Sequence, residues 1–381
     1  MLKRRKFLWS LVSVLTTATI LAGCGQGNQS TSGTDTSSQT GQEQANNASS
    51  EGSNDSSVAN LDPEEALKWY MQQPDPVPKE KYQLGLSTVY LSDPLWVAIE
   101  YGVEQQLEKL GLPKPYVTAA GGYNKAPEQI AQVEDLLVRG IDGLMLGPAN
   151  PDALVPAVEQ AVQNNVPVLN YAVGINTDQI ITDIEATQEM LGRTTAEYLG
   201  KALNGQGKVY MMPGVAGSSW ALGREKGFLD YMKEHHPGIE IVGKHYGKND
   251  RAEGLNTAQD ALQAHPDIDA FYAGSDHIAA GAADAIKAAG KTGQIKVVTM
   301  AGISKDTQQL IKNGEITMAL PYQAVEQGKM MVNMMVHYLN GEKNLPKRIG
   351  IPVETITKEN IDTFDVSKYL APEGYTPSIS Q

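Results

Sequence analysis

Six aromatic residues stand where short apolar runs give way to loops: Tyr90, Trp96, Tyr123, Tyr171, Trp220 and Tyr322. Only 6% of the 381 residues are aromatic and 4 are tryptophan, so two tryptophans at loop positions are informative. A ring face attracts cations, and faces beside one carboxylate, Asp93, suit a methylated or quaternary ammonium group with no hydrogen to donate. Arg224 and Asn249 can meet an anionic oxygen on the same molecule through charge-assisted hydrogen bonds. Together they describe a site for a zwitterion such as an amine oxide or a betaine. Each ring has an equally good second reading as core, because aromatics at element ends often pack inward. Rings also stack on sugar faces, a third reading of the same positions. Asp93 reads equally as the N-cap of a helix opening at Pro94, and it can do both. Asp276 reads first as an N-cap and only second as a ligand contact.

Catalytic chemistry has no comparable support. The six histidines, His235, His236, His245, His265, His277 and His337, are scattered without metal-ligand spacing, and Cys24 is the only cysteine. Gly217-Ser218-Ser219-Trp220 lacks the frame of a nucleophile elbow. No phosphate-cradling Gly-x-x-x-x-Gly-Lys loop occurs. A non-enzymatic chain without cofactor or metal is expected. Met330, Met331, Met334 and Met335 lie at helical spacing and read as core.

The elements that must position these residues alternate along the chain. Apolar runs at Gln83–Val89, Tyr116–Ala119, Gly143–Leu146, Val166–Asn170, Lys208–Met212, Phe271–Ala273 and Ile295–Thr299 read as strands. Helical patterns lie between them; the one after Asp93-Pro94 predicts an inward face of Leu95, Ile99, Val103, Leu107 and Leu110. Such alternation means parallel sheets covered by helices, an α/β fold with two doubly wound lobes. Ligands bind such sheets at the carboxyl ends of the strands, where the residues named above fall. Gly121-Gly122 predicts an unusual turn that aims Tyr123.

The N-terminus reads as an export signal: Lys3, Arg4, Arg5 and Lys6, an apolar run from Phe7 to Ile20, then Leu21-Ala22-Gly23-Cys24. That run is shorter than the roughly 20 residues a spanning helix needs. From Gly25 to Asn60 the chain is Ser, Thr, Gln, Gly and Asn, a composition that cannot offset its ordering entropy and predicts a flexible spacer. The formal charge is −13, and about −17 without the four basic residues of the signal. No basic cluster remains, so nucleic acid is not an expected partner.

The Leu-Ala-Gly-Cys ending resembles the bacterial lipobox, which implies a lipid anchor on Cys24 and a place on the outer face of the cell membrane. From about Tyr82 onward the chain resembles the type I periplasmic binding proteins, on Pro213-Gly214-Val215-Ala216-Gly217-Ser218, Arg224-Glu225-Lys226-Gly227-Phe228, Ala264-His265-Pro266-Asp267, Ser275-Asp276 and Asn313-Gly314. The resemblance implies two lobes joined by three hinge strands, near Glu185–Thr187, Tyr322–Ala324 and Gly350–Pro352, and a ligand-binding role for Arg224. It implies a first lobe of 81–185 with 323–349 and a second of 186–322 with 350–381, after a signal (1–23), a linker (24–60) and a lead-in (61–80). Sugar-binding members carry an Asp-Arg pair where this chain has Ala172-Val173, and an Asp in the loop that here reads Met300-Ala301-Gly302. Buried hydroxyls need such partners, so the usual pentose or hexose site is not expected. Asp93-Pro94-Leu95-Trp96, Ala120-Gly121-Gly122-Tyr123, Met212-Pro213-Gly214, Gly247-Lys248-Asn249-Asp250 and Leu370-Ala371-Pro372-Glu373-Gly374-Tyr375 resemble the TorT-type branch, which recognises trimethylamine N-oxide for a sensor kinase. The implied ligand contacts are Tyr90, Asp93, Trp96, Tyr123, Tyr171, Trp220, Arg224, Asn249, Ser275 and Tyr322. The implied partners are a small molecule and either an ABC permease or a sensor histidine kinase, with a sugar receptor as the alternative. A repressor of this fold would need a helix-turn-helix and a basic face, and a secreted hydrolase would need a triad.

Overall fold

Apolar runs buried on both sides form parallel strands, and the amphipathic runs between them form the covering helices. In the computed structural model, which describes residues 58–379, they build two parallel sheets. The signal, Cys24 and the linker up to residue 57 lie outside the described residues. After α1 (Pro63–Tyr70), the first sheet takes β1 (Leu84–Thr88), β2 (Tyr116–Ala119), β3 (Gly143–Leu146), β4 (Val168–Tyr171) and β5 (Asp183–Ile184). Its helices are α2 (Pro94–Lys109), α3 (Ala126–Val138) and α4 (Val155–Gln163). The second sheet takes β6 (Gln206–Gly214), β7 (Gly238–Tyr246), β8 (Ala270–Ala273), β9 (Lys296–Ala301) and β10 (Met318–Pro321). Around it run α5 (Gln188–Ala202), α6 (Ser219–His235), α7 (Arg251–Ala264), α8 (Asp276–Ala288) and α9 (Lys305–Lys312). The chain then returns to the first sheet through α10 (Ala324–Leu339) and β11 (Arg348–Ile349).

Strand order is β11-β5-β4-β3-β1-β2 in one sheet and β10-β9-β8-β6-β7 in the other, so both halves reverse direction beside their first strand. Loops diverge at such a reversal and leave a crevice at the strands' carboxyl ends. The chain passes between the sheets after β5, after β10 and after β11; antiparallel bridges Tyr322–Val353 and Ala319–Ile356 tie the last two passages together.

Three helix pairs close up through reciprocal glycines: Gly102 with Gly328, Gly192 with Gly227, and Gly254 with Gly281. A Cβ on Gly192 would stand 1.9 Å from the Arg224 carbonyl oxygen, and one on Gly227 would stand 2.0 Å from that of Glu189. The backbone that carries Arg224 is therefore pinned against α5.

Several expectations need correction. The inward face of α2 is Trp96, Ile99, Val103 and Leu107, with Leu95 and Leu110 only half-buried. The helix is covered by α10 and by the returning C-terminal segment as well, so its buried arc takes in Gln106, which donates to Asn333 at 2.6 Å, and Glu100. The N-cap of α8 is Ser275, not Asp276; its hydroxyl accepts from the Ile278 N–H. Residues 58–60 form a 3-10 turn, and the lead-in packs on the first lobe, where the Gly350 N–H donates to the Pro63 carbonyl at 2.8 Å. The end of the chain, expected in the second lobe, crosses back: the Ser378 N–H donates to Glu100 at 2.9 Å, and Tyr375 packs edge-on against Tyr101 with centroids 5.0 Å apart.

Candidate functional site

The two reversal points meet at a chamber of about 50 Å³, room for the centres of a few waters. Except for Tyr369 and Leu370, every lining residue lies at or beyond the carboxyl end of a strand.

On the first side, Asp93 caps α2 by accepting the Leu95 N–H at 2.9 Å and Pro94 fixes the first turn, so the helix enters the chamber with Trp96 turned inward. Trp96 is 2% exposed and sits edge-on to Tyr171 at 5.8 Å. Tyr171 in turn donates to the Ser87 carbonyl at 3.1 Å. It stands behind Trp96 and outside the lining, a correction to its expected role as a contact. Gly121, at φ +87°, makes the turn that delivers Tyr123 to the chamber wall. Tyr90 meets Tyr123 in a T-shaped contact at 5.5 Å and lines an outer recess, not the chamber.

On the second side, Trp220 lies on the first turn of α6, in space kept open by Gly214, whose Cβ would stand 2.2 Å from the indole. The indole N–H is buried and has no hydrogen-bond partner. One turn on, the Arg224 guanidinium lies 4.8 Å from the Trp220 ring. Its Nε donates to the Gln188 side chain at 2.7 Å and its Nη1 to the Gly274 carbonyl at 2.6 Å. Arg224 is 5% exposed and pairs with no carboxylate among the described residues. Burial pulls its pKa down, opposed by Tyr322, Tyr272 and Tyr123. Ser275 donates to the Asn249 side-chain oxygen, which fixes both on the wall.

Two alanines in the lining, Ala172 and Ala301, hold φ of 63° and 75°. The other two non-glycine residues with positive φ among the described residues are asparagines, which tolerate that region. A conformation of this kind costs on the order of 1–3 kcal/mol and collects at functional sites. With Val173, these residues offer no side-chain hydrogen bond to a ligand.

Burial pushes the Tyr322 hydroxyl up to about 12 and the Tyr123 hydroxyl higher still, so both remain donors at any physiological pH. Asp276 accepts from the Ser304 N–H at 3.0 Å and the Thr307 hydroxyl at 3.2 Å. Its neighbour His277 reaches across the chamber mouth to Asp93, with Nε2 3.4 Å from Oδ2.

The fold thus brings Asp93, Trp96, Tyr123, Trp220, Arg224, Asn249, Ser275 and Tyr322 to one chamber. Sequence reasoning passed over His277, Ile303, Ser304, Tyr369 and Leu370. The strand-end rule was a usable signal for His277 in the loop after β8 and for Ile303 and Ser304 in the loop after β9; it does not reach Tyr369 and Leu370.

Residues 84–343 match the model of the periplasmic binding protein domain. The chain is 30% identical over 281 residues to the ribose import binding protein RbsB of Bacillus subtilis (strain 168), covering 74% of this chain and 89% of that protein. It is 26% identical over 310 residues to the periplasmic protein TorT of Escherichia coli (strain K12), covering 78% and 85%. Among solved structures, an ABC transporter solute binding protein from Agrobacterium vitis with bound D-fucose superimposes with a TM-score of 0.69 at 26% identity, covering 76% of this chain and 100% of that one.

Proposed function

The chain belongs to the periplasmic binding protein family, and from that premise we propose that its chamber captures a compact zwitterion of the amine-oxide or betaine kind. The observation that carries this reading is the buried Trp220 indole N–H without an acceptor beside the buried Arg224 guanidinium without a carboxylate, both on α6. A buried donor left unpaired costs about 1–3 kcal/mol, and an anionic oxygen from the ligand would satisfy the indole N–H and answer the Arg224 charge. Trp96 and Tyr123, from the first lobe, offer ring surface to a methylated cation, worth up to about 2 kcal/mol when desolvated.

A sugar is the second reading, favoured by the relatives named for ribose and by the D-fucose complex. Against it stand Ala172, Val173 and Ala301, three apolar positions that offer a ring hydroxyl no side-chain partner. A thermal-shift panel separates the two, since a ligand at 100 times its dissociation constant adds about 2.7 kcal/mol of stability. Stabilisation by ribose, fucose or arabinose without any by betaine or trimethylamine N-oxide would overturn the first reading.

The receptor works outside the cytoplasm, as its family does, and we propose that a lipid on Cys24 holds it at the membrane beside an ABC permease or a sensor kinase. Cys24→Ser is expected to move the protein from the membrane to the soluble fraction with ligand affinity unchanged; unaltered fractionation would refute the anchor.

A further inference from the structure

We propose that His277 is a proton-dependent latch across the chamber mouth, and that its proton sets the charge of the solute the chamber accepts. Asp93 belongs to the first lobe, at the crevice beside β1, and His277 to the second, at the crevice beside β8. Theirs is the only ion pair, among the described residues, that joins residues 81–185 to residues 186–322. Closing the lobes brings the pair together, and opening them parts it. The groups that face the imidazole are Asp93 from α2, Asp276 on its own helix, Asp250 and Lys248 from the loop before α7, and Tyr90 and Tyr123 from the first lobe.

The N-terminus of α8 and burial disfavour the imidazolium, but the three carboxylates outweigh them. The pairing with Asp93, the largest influence, pushes His277 from 6.5 up to about 9. With the lobes apart that pairing is lost and the ring returns toward its ordinary value. The linkage then has one sign. Closure is fully favoured below about 6.5, takes up a proton between about 6.5 and 9, and loses the latch as pH rises through about 9.

The charge consequence rests on the reading of the ligand given above. At neutral pH, Arg224 and protonated His277 balance Asp93 and Asp276, so the lining carries no net charge and suits a zwitterion or a neutral solute. Without the His277 proton the lining is negative by one and favours a cation. Asp93 has both oxygens engaged, Oδ1 by the Leu95 N–H and Oδ2 by His277, so a cationic ligand must compete with the imidazolium for it.

The experiment has two arms on the full-length protein. The first follows the His277 ring by NMR over pH 5–10, with His277→Gln identifying its signal among the six histidines. The expected titration lies well above 6.5 and falls toward it in Asp93→Asn, a change that keeps a competent N-cap. A midpoint near 6.5 that neither Asp93→Asn nor saturating glycine betaine moves would overturn the latch. The second arm measures glycine betaine and choline at pH 7 by calorimetry. His277→Gln is expected to lower the betaine-to-choline affinity ratio at least tenfold, and an unchanged ratio would overturn the charge-setting role. If neither probe binds the wild type while the titration behaves as expected, the latch stands and the ligand reading of the previous subsection fails instead.

Discussion

Trp220 and Arg224 stand one helical turn apart on α6, the guanidinium 4.8 Å from the indole ring, and the indole N–H has no acceptor. This stacking aligns two donors on one side of the chamber and leaves both unpaired with any anion. Trp220→Phe keeps the ring and removes the N–H. The ligand-free variant is expected to be as stable as the parent or about 1 kcal/mol more stable, because an unsatisfied buried donor is gone. Its ligand affinity is expected to fall about fivefold to tenfold, the value of one hydrogen bond. Chemical denaturation and calorimetry on the same sample check this; a loss of stability with affinity intact would make Trp220 mere packing.

Trp96 behaves differently, because it is both wall and core. Its burial against Tyr171 means that Trp96→Ala opens a cavity beside Tyr171 and Gly147 and costs about 3–5 kcal/mol of stability in addition to affinity. Of the two readings that the sequence left open for this ring, the ligand-contact one alone would expect affinity to fall with little loss of stability. Trp96→Phe is the milder probe. Urea unfolding midpoints of the three proteins should rank wild type, Phe, Ala.

Glu100 gives a prediction about pH. Burial is the main cause that raises its pKa from 4.5 to about 7, and one of its oxygens is buried without a partner. A carboxyl raised on folding binds its proton more tightly in the folded chain, so its stabilising effect is complete below about 4.5 and is lost as pH rises through about 7. Glu100→Gln keeps an acceptor for the Ser378 N–H and removes the charge. The variant is expected to gain on the order of 2–3 kcal/mol at pH 8 and almost nothing at pH 4.5. Thermal unfolding at the two pH values checks it, and equal shifts at both would contradict a buried charge at this position.

The sheets were legible because their strands are short apolar runs bounded by turns: β2 and β3 fall on the residues that patterning picks out. β7 was not, since as an edge strand it is mostly half-exposed and reads as mixed polarity. β5 and β11 are two residues each, too short to carry any period. Most of the chamber could be found from the rule that ligands meet strand ends. Tyr171 misled because a ring at a strand's end can face either way, and only the packing of Trp96 over it decides. His277 was lost among scattered histidines, since its meaning depends on Asp93, brought beside it by the meeting of two sheets. The returning C-terminal segment carries no sequence sign of its destination; its partners Tyr101 and Glu100 lie on the other lobe.

The central claim is that the chamber is built for a compact zwitterion. Titration calorimetry at pH 7 with glycine betaine, trimethylamine N-oxide and D-ribose tests it most directly. The account predicts saturable one-to-one binding of at least one methylamine, at least tenfold tighter than ribose, and its loss in Arg224→Met, which removes the buried cation. Tight ribose binding with neither methylamine detected would contradict it.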